Sequence, residues 1–187
     1  MFSYLESVDR YLLLCINQTH HAAWDAFFCG ITHEVWGCLF YAWPLYSMAK
    51  KLDRKSFWLG IVALLGLLLL TDQVTSGLVK PGVRRLRPCC DPSLQQWVHV
   101  VGTYRGSYGF FSAHAANGFG VATFLFLVLR VYSPSGYLPL GWAALVSYGR
   151  VYGGVHYPLD VVCGALSGLV SGWLIYRGYD RWVLHKS

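Results

Sequence analysis

The run FWLGIVALLGLLLLTDQVTSGLV, residues 57–79, constrains this chain more than any other stretch of it. As a helix rising ~1.5 Å per residue it is long enough to cross a hydrocarbon core of ~30 Å. Residues 112–131 form a second such run and 159–175 a third. Weaker ones occupy 22–48, interrupted by His33 and Glu34, and 137–151. The fold expected is all-α: an integral membrane helical bundle of about five transmembrane helices. Composition agrees, with 55% hydrophobic and 13% charged residues against the roughly 25% charged of a soluble domain. At this length the whole chain, 1–187, reads as a single membrane-embedded domain.

Residues 1–20 read differently. Tyr4, Leu5, Val8, Tyr11, Leu12 and Cys15 recur at steps of three and four, with Glu6, Asp9 and Arg10 between them. That pattern predicts an amphipathic helix lying in the membrane interface, with a sixth, short crossing as the alternative. No basic segment precedes its short apolar stretch and no small-residue cleavage site follows, so a cleaved signal peptide is not expected.

The net charge of +6 is distributed by side. Lys50, Lys51, Arg54, Lys55, Arg130, Arg177, Arg181 and Lys186 fall on one face when crossings are counted, which the positive-inside rule makes cytoplasmic. Lys80, Arg84, Arg85, Arg87, Arg105 and Arg150 fall on the other. That many cations on an outer face run against the rule and point to an anionic ligand there. Nucleic acid is a poor candidate, because these residues sit at helix ends and not on a soluble surface. The six cysteines form no CxxC pair, so no zinc ribbon is indicated.

One long connection, 80–111, carries Pro81, Pro88, Pro92 and the aromatic stretch GTYRGSYGFF, and is expected to fold over the outer mouth of the bundle. Asp72, Gln73, Thr75 and Ser76, near the end of the 57–79 run, are expected either to support the outer site or to form a polar seam between helices.

Three stretches at helix ends carry the chemistry: KPGVRRLRP (80–88), SAH (112–114) and RVYGGVHYPLD (150–160). Phosphoryl transfer spreads charge over three equatorial oxygens, and catalysis is largely positioning plus cationic stabilisation. Arginine suits that task, since its planar fork donates two parallel hydrogen bonds and stays charged. Lys80, Arg87 and Arg150 supply such a cradle. Ser112, and the backbone N–H of Ala113 at the opening of a helix, add neutral donors. His156 and Asp160 stand four positions apart, so on a helix the carboxylate accepts from the imidazole and leaves the other ring nitrogen free to attack phosphorus. His114 is then placed to protonate the leaving oxygen.

In order and spacing these residues resemble the type 2 phosphatidic acid phosphatase superfamily, which also holds the vanadium haloperoxidases. The family's KxxxxxxRP motif matches from Lys80 to Pro88. Its PSGH appears as FSAH, with Phe111 and Ala113 in place of proline and glycine. Its SRxxxxxHxxxD matches at Arg150, His156 and Asp160, with Gly149 in place of the serine. The resemblance implies His156 as a nucleophile forming a phosphohistidine, Asp160 as its partner and His114 as general acid. It implies Lys80, Arg87, Ser112, Ala113 and Arg150 as phosphate ligands, with no metal and no other cofactor.

The function expected is hydrolysis of a phosphate or pyrophosphate group on a membrane lipid: undecaprenyl pyrophosphate, lipid A or a phosphatidic acid-like lipid. The site is expected to face the periplasm or outside from a bacterial inner membrane. A phosphohistidine also serves transfer from one lipid to another. An anion channel or transporter fits less well, since the chain shows no repeated halves and such a role leaves the His156–Asp160 spacing unused. A metal site built from His114, His156 and Asp160 is disfavoured by the cations around it.

Overall fold

The computed structural model describes residues 2–130 and 134–184; Lys186 and the side chain of Glu34 lie outside the described residues. The chain is helical, and its one pairing of extended backbone among these residues is an isolated antiparallel bridge between Leu86 and Tyr108. The helices in chain order are α1 (Phe2–Asn17), α2 (Ala22–Ile31), α3 (Glu34–Lys51), α4 (Arg54–Asp72), α5 (Lys80–Val83), α6 (Ala113–Leu129), α7 (Leu138–Tyr152) and α8 (Pro158–Leu184).

Helices α4, α6 and α8 make the centre, around Leu64, Leu67, Phe124, Leu125, Val128 and Tyr179. The crossing of α6 and α8 is set by glycine. A Cβ at Gly164, Gly168 or Gly172 would lie 2.5, 2.3 or 2.4 Å from the carbonyl oxygens of Ser112, Ala116 and Gly120. Small residues at four-residue steps let two backbones touch, the usual means by which helices associate in lipid, where burial of apolar surface gives little drive. This comb ties the N-terminal ends of α6 and α8 together, and both ends carry motif residues.

Two helical paths, Arg54–Val83 and Pro158–Val183, are long and apolar enough to cross a membrane. The first runs from α4 through a wide π-helical segment, Gln73–Val79, into α5. Lys80, expected to open the outer loop, therefore sits on the helix, and the chain leaves it at Arg84, whose φ of 53° is left-handed. The 22–48 run, expected as one crossing, is two helices. The chain breaks at Thr32 and His33, and the His33 ring caps α3 by accepting from the Val35 N–H at 3.4 Å.

Near the π segment, buried Thr71 donates to Asn117 Oδ1 at 2.5 Å, joining α4 to α6, and buried Thr75 bonds back to the Thr71 carbonyl. Asp72, Gln73 and Ser76 are exposed. The polar seam is thus built by threonines. The π-helical widening directly precedes Lys80 and resets its direction.

Helix α1 buries two of its polar residues, Asp9 and Asn17, while Glu6 and Ser7 stay exposed. Tyr4, Leu5, Val8, Tyr11 and Leu12 are exposed, whereas Asp9, Leu13 and Asn17 are buried. Asn17 Nδ2 donates to the carbonyls of His99 and Tyr152 at 2.6 and 2.7 Å, and its Oδ1 accepts the His99 N–H at 2.8 Å. The helix thus presents an apolar stripe outward and anchors itself to the rest of the chain through Asp9 and Asn17.

The two charge populations lie at opposite ends of the bundle. Lys50 and Lys51 close α3, and Arg54 and Lys55 open α4. Arg177 and Arg181 lie in the last turns of α8, where the Tyr179 hydroxyl donates to Ser56 of α4 at 3.2 Å. The motif residues occupy the other ends.

Candidate active site

The site is built where α7 turns into α8. Gly154, at φ 68°, sits so close to Val98 and the His99 carbonyl that a Cβ would overlap them. Only glycine combines that conformation with that contact. The turn folds the chain back so that the N–H groups of Val155 and His156 both approach the Arg150 carbonyl at 3.2 Å. Arg150 and His156 are brought together by this turn, six positions apart. Pro158 then starts α8, because the residue before a proline avoids the helical region and its ring suits a first helical position.

His156 therefore lies in the turn before the helix. The one-face helical geometry expected for His156 and Asp160 is replaced by a capping arrangement. Asp160, in the first turn of α8, accepts the Tyr157 N–H at 3.1 Å and faces His156 Nδ1 at 3.4 Å through the same Oδ2. Contact between the two is kept by a different route.

The other ring nitrogen, His156 Nε2, stands 2.9 Å from Arg87 Nη1. With Nδ1 carrying the proton toward Asp160, Nε2 holds a lone pair aimed at a cation. Burial first, then the charges of Arg87, Arg150 and Lys80, hold the His156 pKa well below the usual histidine value. The ring stays neutral at physiological pH, as a nitrogen nucleophile must.

Arg87 is buried, and besides His156 its hydrogen-bond partners among the described residues are neutral carbonyls, those of Gly106, Val155 and Arg105, at 3.0, 3.0 and 3.1 Å; its guanidinium also lies over the Tyr104 ring at 5.8 Å. Arg150, also buried, donates to the Thr103 carbonyl at 3.1 Å, and its Nε has no partner among the described residues. Lys80, Arg87, Arg150 and His156 all act electrostatically on His114, and Lys80 feels Arg87 and Arg150. Among the described residues none of these three cations forms a salt bridge. Three unneutralised charges around a buried imidazole form a pocket arranged for an anion.

Ser112 is the N-cap of α6 and is buried; its N–H donates to the Asp160 carbonyl at 2.9 Å, and its Oγ caps Ala115. That backbone N–H is committed to holding α6 against α8. Ala113 and His114 open α6, where N–H groups have no acceptor within the helix. The His114 side chain is exposed at the mouth of the pocket. All eight residues singled out from the sequence converge at this end.

The motifs leave out Arg85. Its Nη1 donates to Asp160 Oδ1 at 2.8 Å and its Nη2 to Asp9 Oδ2 at 2.6 Å. A signal for it existed in the excess of outer-face cations, two of which stand either side of Leu86.

The chain is similar to known proteins in sequence and fold. A family model described as the PAP2 superfamily matches residues 60–184. The chain belongs to the PAP2 superfamily. A lipid A 4'-phosphatase of Bacteroides thetaiotaomicron is 38% identical over 94% of this chain and 79% of its own length. A lipid A 4'-phosphatase of Porphyromonas gingivalis is 32% identical over 96% of this chain and 78% of its own. In fold, the chain resembles the crystal structure of a transmembrane PAP2-type phosphatidylglycerolphosphate phosphatase from Bacillus subtilis, with TM-score 0.72, 21% identity, and coverage of 96% of this chain and 88% of that one. This PAP2 protein is an enzyme, a phosphoric ester hydrolase of membrane character.

One departure from the PAP2 motifs has a packing reason. At Gly149 a Cβ would lie 3.0 Å from Phe28 and 3.1 Å from Thr32, so α2 occupies the space a serine would need. Among the described residues, a group whose side chains could hold a metal ion lies elsewhere: His20, Asp25 and His99 bring their ligand atoms within 4.8 Å of one another. His99 already pairs with Asp25 at 2.9 Å there, and Asp25 also accepts from the Tyr152 hydroxyl at 2.6 Å.

Proposed function

We propose that this protein removes a phosphate group from lipid A or a closely related phosphorylated glycolipid, through a covalent phosphohistidine on His156. The observation that carries the reading is the buried imidazole, held neutral, with Nε2 turned toward Arg87 and Nδ1 toward Asp160. Substrate identity is supported by the two lipid A 4'-phosphatases, each matched over nearly the whole of this chain.

The substrate phosphate enters between Arg87, Arg150 and Lys80, taking the place of the His156–Arg87 contact. Its oxygens accept from the two guanidinium forks and from the N–H groups opening α6. Nε2 attacks phosphorus while the lipid oxygen departs on the opposite side and takes a proton from His114. Asp160 holds the Nδ1 proton and stabilises the charge that develops on the ring. Water then attacks the phosphohistidine, His114 accepts its proton, and inorganic phosphate leaves. Five crossings in a bacterial inner membrane put the Lys50–Lys51 end in the cytoplasm and the site at the periplasmic face, where α1 lies in the interface. A lipid substrate then reaches the pocket sideways from the outer leaflet.

The test is phosphate release by detergent-purified protein from lipid A, undecaprenyl pyrophosphate, phosphatidic acid and phosphatidylglycerol phosphate, beside a His156→Ala control. The expected result is dephosphorylation of lipid A, seen by mass spectrometry and lost in the control. A preference for another lipid overturns the substrate, and activity retained in His156→Ala overturns the mechanism.

A further inference from the structure

Asp160 is buried, and its two oxygens face different ways. Oδ2 serves the Tyr157 N–H and His156 Nδ1, whereas Oδ1 accepts from Arg85 at 2.8 Å. The other arm of the Arg85 fork reaches Asp9 of α1 at 2.6 Å, and Asp9 turns its second oxygen to the Leu159 N–H at 2.8 Å. Asp9 thus holds the first turn of α8 twice, once through the backbone beside Asp160 and once through Arg85 on the carboxylate itself. Arg85 also lies over the Tyr157 ring at 4.0 Å, and the Tyr157 hydroxyl donates to Asp91 at 3.2 Å. Asp91 in turn receives Arg10, again from α1, at 3.1 Å.

A guanidinium with both arms engaged and one face on an aromatic ring has little rotational freedom. It fixes the plane of the Asp160 carboxylate and so fixes which lone pair is offered to His156. It also offsets part of the carboxylate's charge, which His156 would otherwise feel alone.

We infer that Asp9 and Arg85 are positioning residues for the reaction: α1 orients the Asp160 carboxylate through Arg85, and through it the His156 ring. The inference rests on the reading of His156 as nucleophile. It makes α1 a part of the active-site scaffold as well as an interfacial helix, because its exposed stripe of Tyr4, Leu5, Tyr11 and Leu12 backs directly onto Asp9.

Steady-state hydrolysis of lipid A by Asp9→Asn and Arg85→Gln, purified in detergent and checked for a melting transition, tests this. Expected is a fall in kcat of about 10–100-fold with KM nearly unchanged, the size typical of residues that orient a reacting group through another. His156 is faced by Asp160 of α8, Arg87 of the loop, Arg150 of α7, Lys80 of α5 and His114 of α6. Of these, Arg85→Gln exposes only the charge of Asp160. The acid limb of kcat/KM should therefore move to higher pH, which a purely structural ion pair would not cause. In an Asp160→Asn background Arg85→Gln should cost little more, because the chain is already cut.

Additive losses, an unmoved pH limb, or an effect confined to KM would overturn the inference. If Asp9→Asn or Arg85→Gln does not fold, Asp9→Glu and Arg85→Lys carry the same comparison. Failure of the underlying mechanism is distinguished by activity persisting in His156→Ala.

Discussion

Arg85 and Arg87 stand two positions apart on one loop, and their surroundings are opposite. Arg85 bonds two carboxylates, Asp9 and Asp160, with one guanidinium arm on each. Arg87 is more deeply buried, yet among the described residues it hydrogen-bonds only carbonyl oxygens and the His156 ring and lies over the Tyr104 ring at 5.8 Å, with no salt bridge and with Arg150 and Lys80 near enough to repel it. Burying a charge costs several kcal/mol unless it is paired. The first arginine meets that cost within the protein; under the proposed function the second meets it with the substrate phosphate. On that reading Arg85 belongs to the framework and Arg87 to the reaction.

The comparison is sharpened most by changing what each arginine serves. On the unpaired side, His156→Gln should lower kcat by about 10⁴-fold or more with the melting transition kept, since the bond-forming atom is lost. Arg87→Lys should lower kcat/KM by about 10²–10³-fold, because a point charge cannot replace the fork on a transferring phosphoryl group. Both are read by phosphate release. Stability should separate the pair in opposite directions. Arg85→Gln leaves Asp9 and Asp160 without their cation and should cost about 3 kcal/mol, whereas Arg87→Gln relieves repulsion and should raise the melting temperature in detergent. If both substitutions destabilised equally, the division would fail.

The smallest effect concerns pH. The folded pKa of His156 lies well below its unfolded value, through burial and then the neighbouring cations. The unfolded chain therefore binds more protons as pH drops below about 6.5. Stability from this group is fully present above that pH and is lost as pH falls toward the folded value. The wild-type melting temperature should decline between about pH 7 and 5 more than that of His156→Gln, which lacks the titration.

Residues that meet by local geometry were legible in the sequence. Lys80 to Pro88, Ser112 to His114 and Arg150 to Asp160 stand out by spacing and lie together at one end of the bundle, and the apolar runs at 112–131 and 159–175 correspond to α6 and α8. The second of these reaches further, to Leu184, because Arg177, Asp180 and Arg181 lower its hydropathy while Tyr179 still packs into the core. The turn holding His156 was not anticipated: the four-residue spacing to Asp160 reads as helical, whereas Gly154 and Pro158 place His156 in a turn before α8. The Asp9–Arg85 pair was not legible either. Its partners are separated by 76 positions, and nothing in local pattern distinguishes a buried aspartate on α1 from the other charges on a helix expected to be amphipathic.

Titrating orthovanadate, as a phosphate analogue, into the wild type, Arg87→Lys and Arg85→Lys and measuring Kd calorimetrically separates the two arginines. Binding weakened about tenfold or more by Arg87→Lys, and within about twofold of wild type in Arg85→Lys, is the expected result. An Arg85→Lys variant that binds the anion as poorly as Arg87→Lys would contradict the division between framework and reaction.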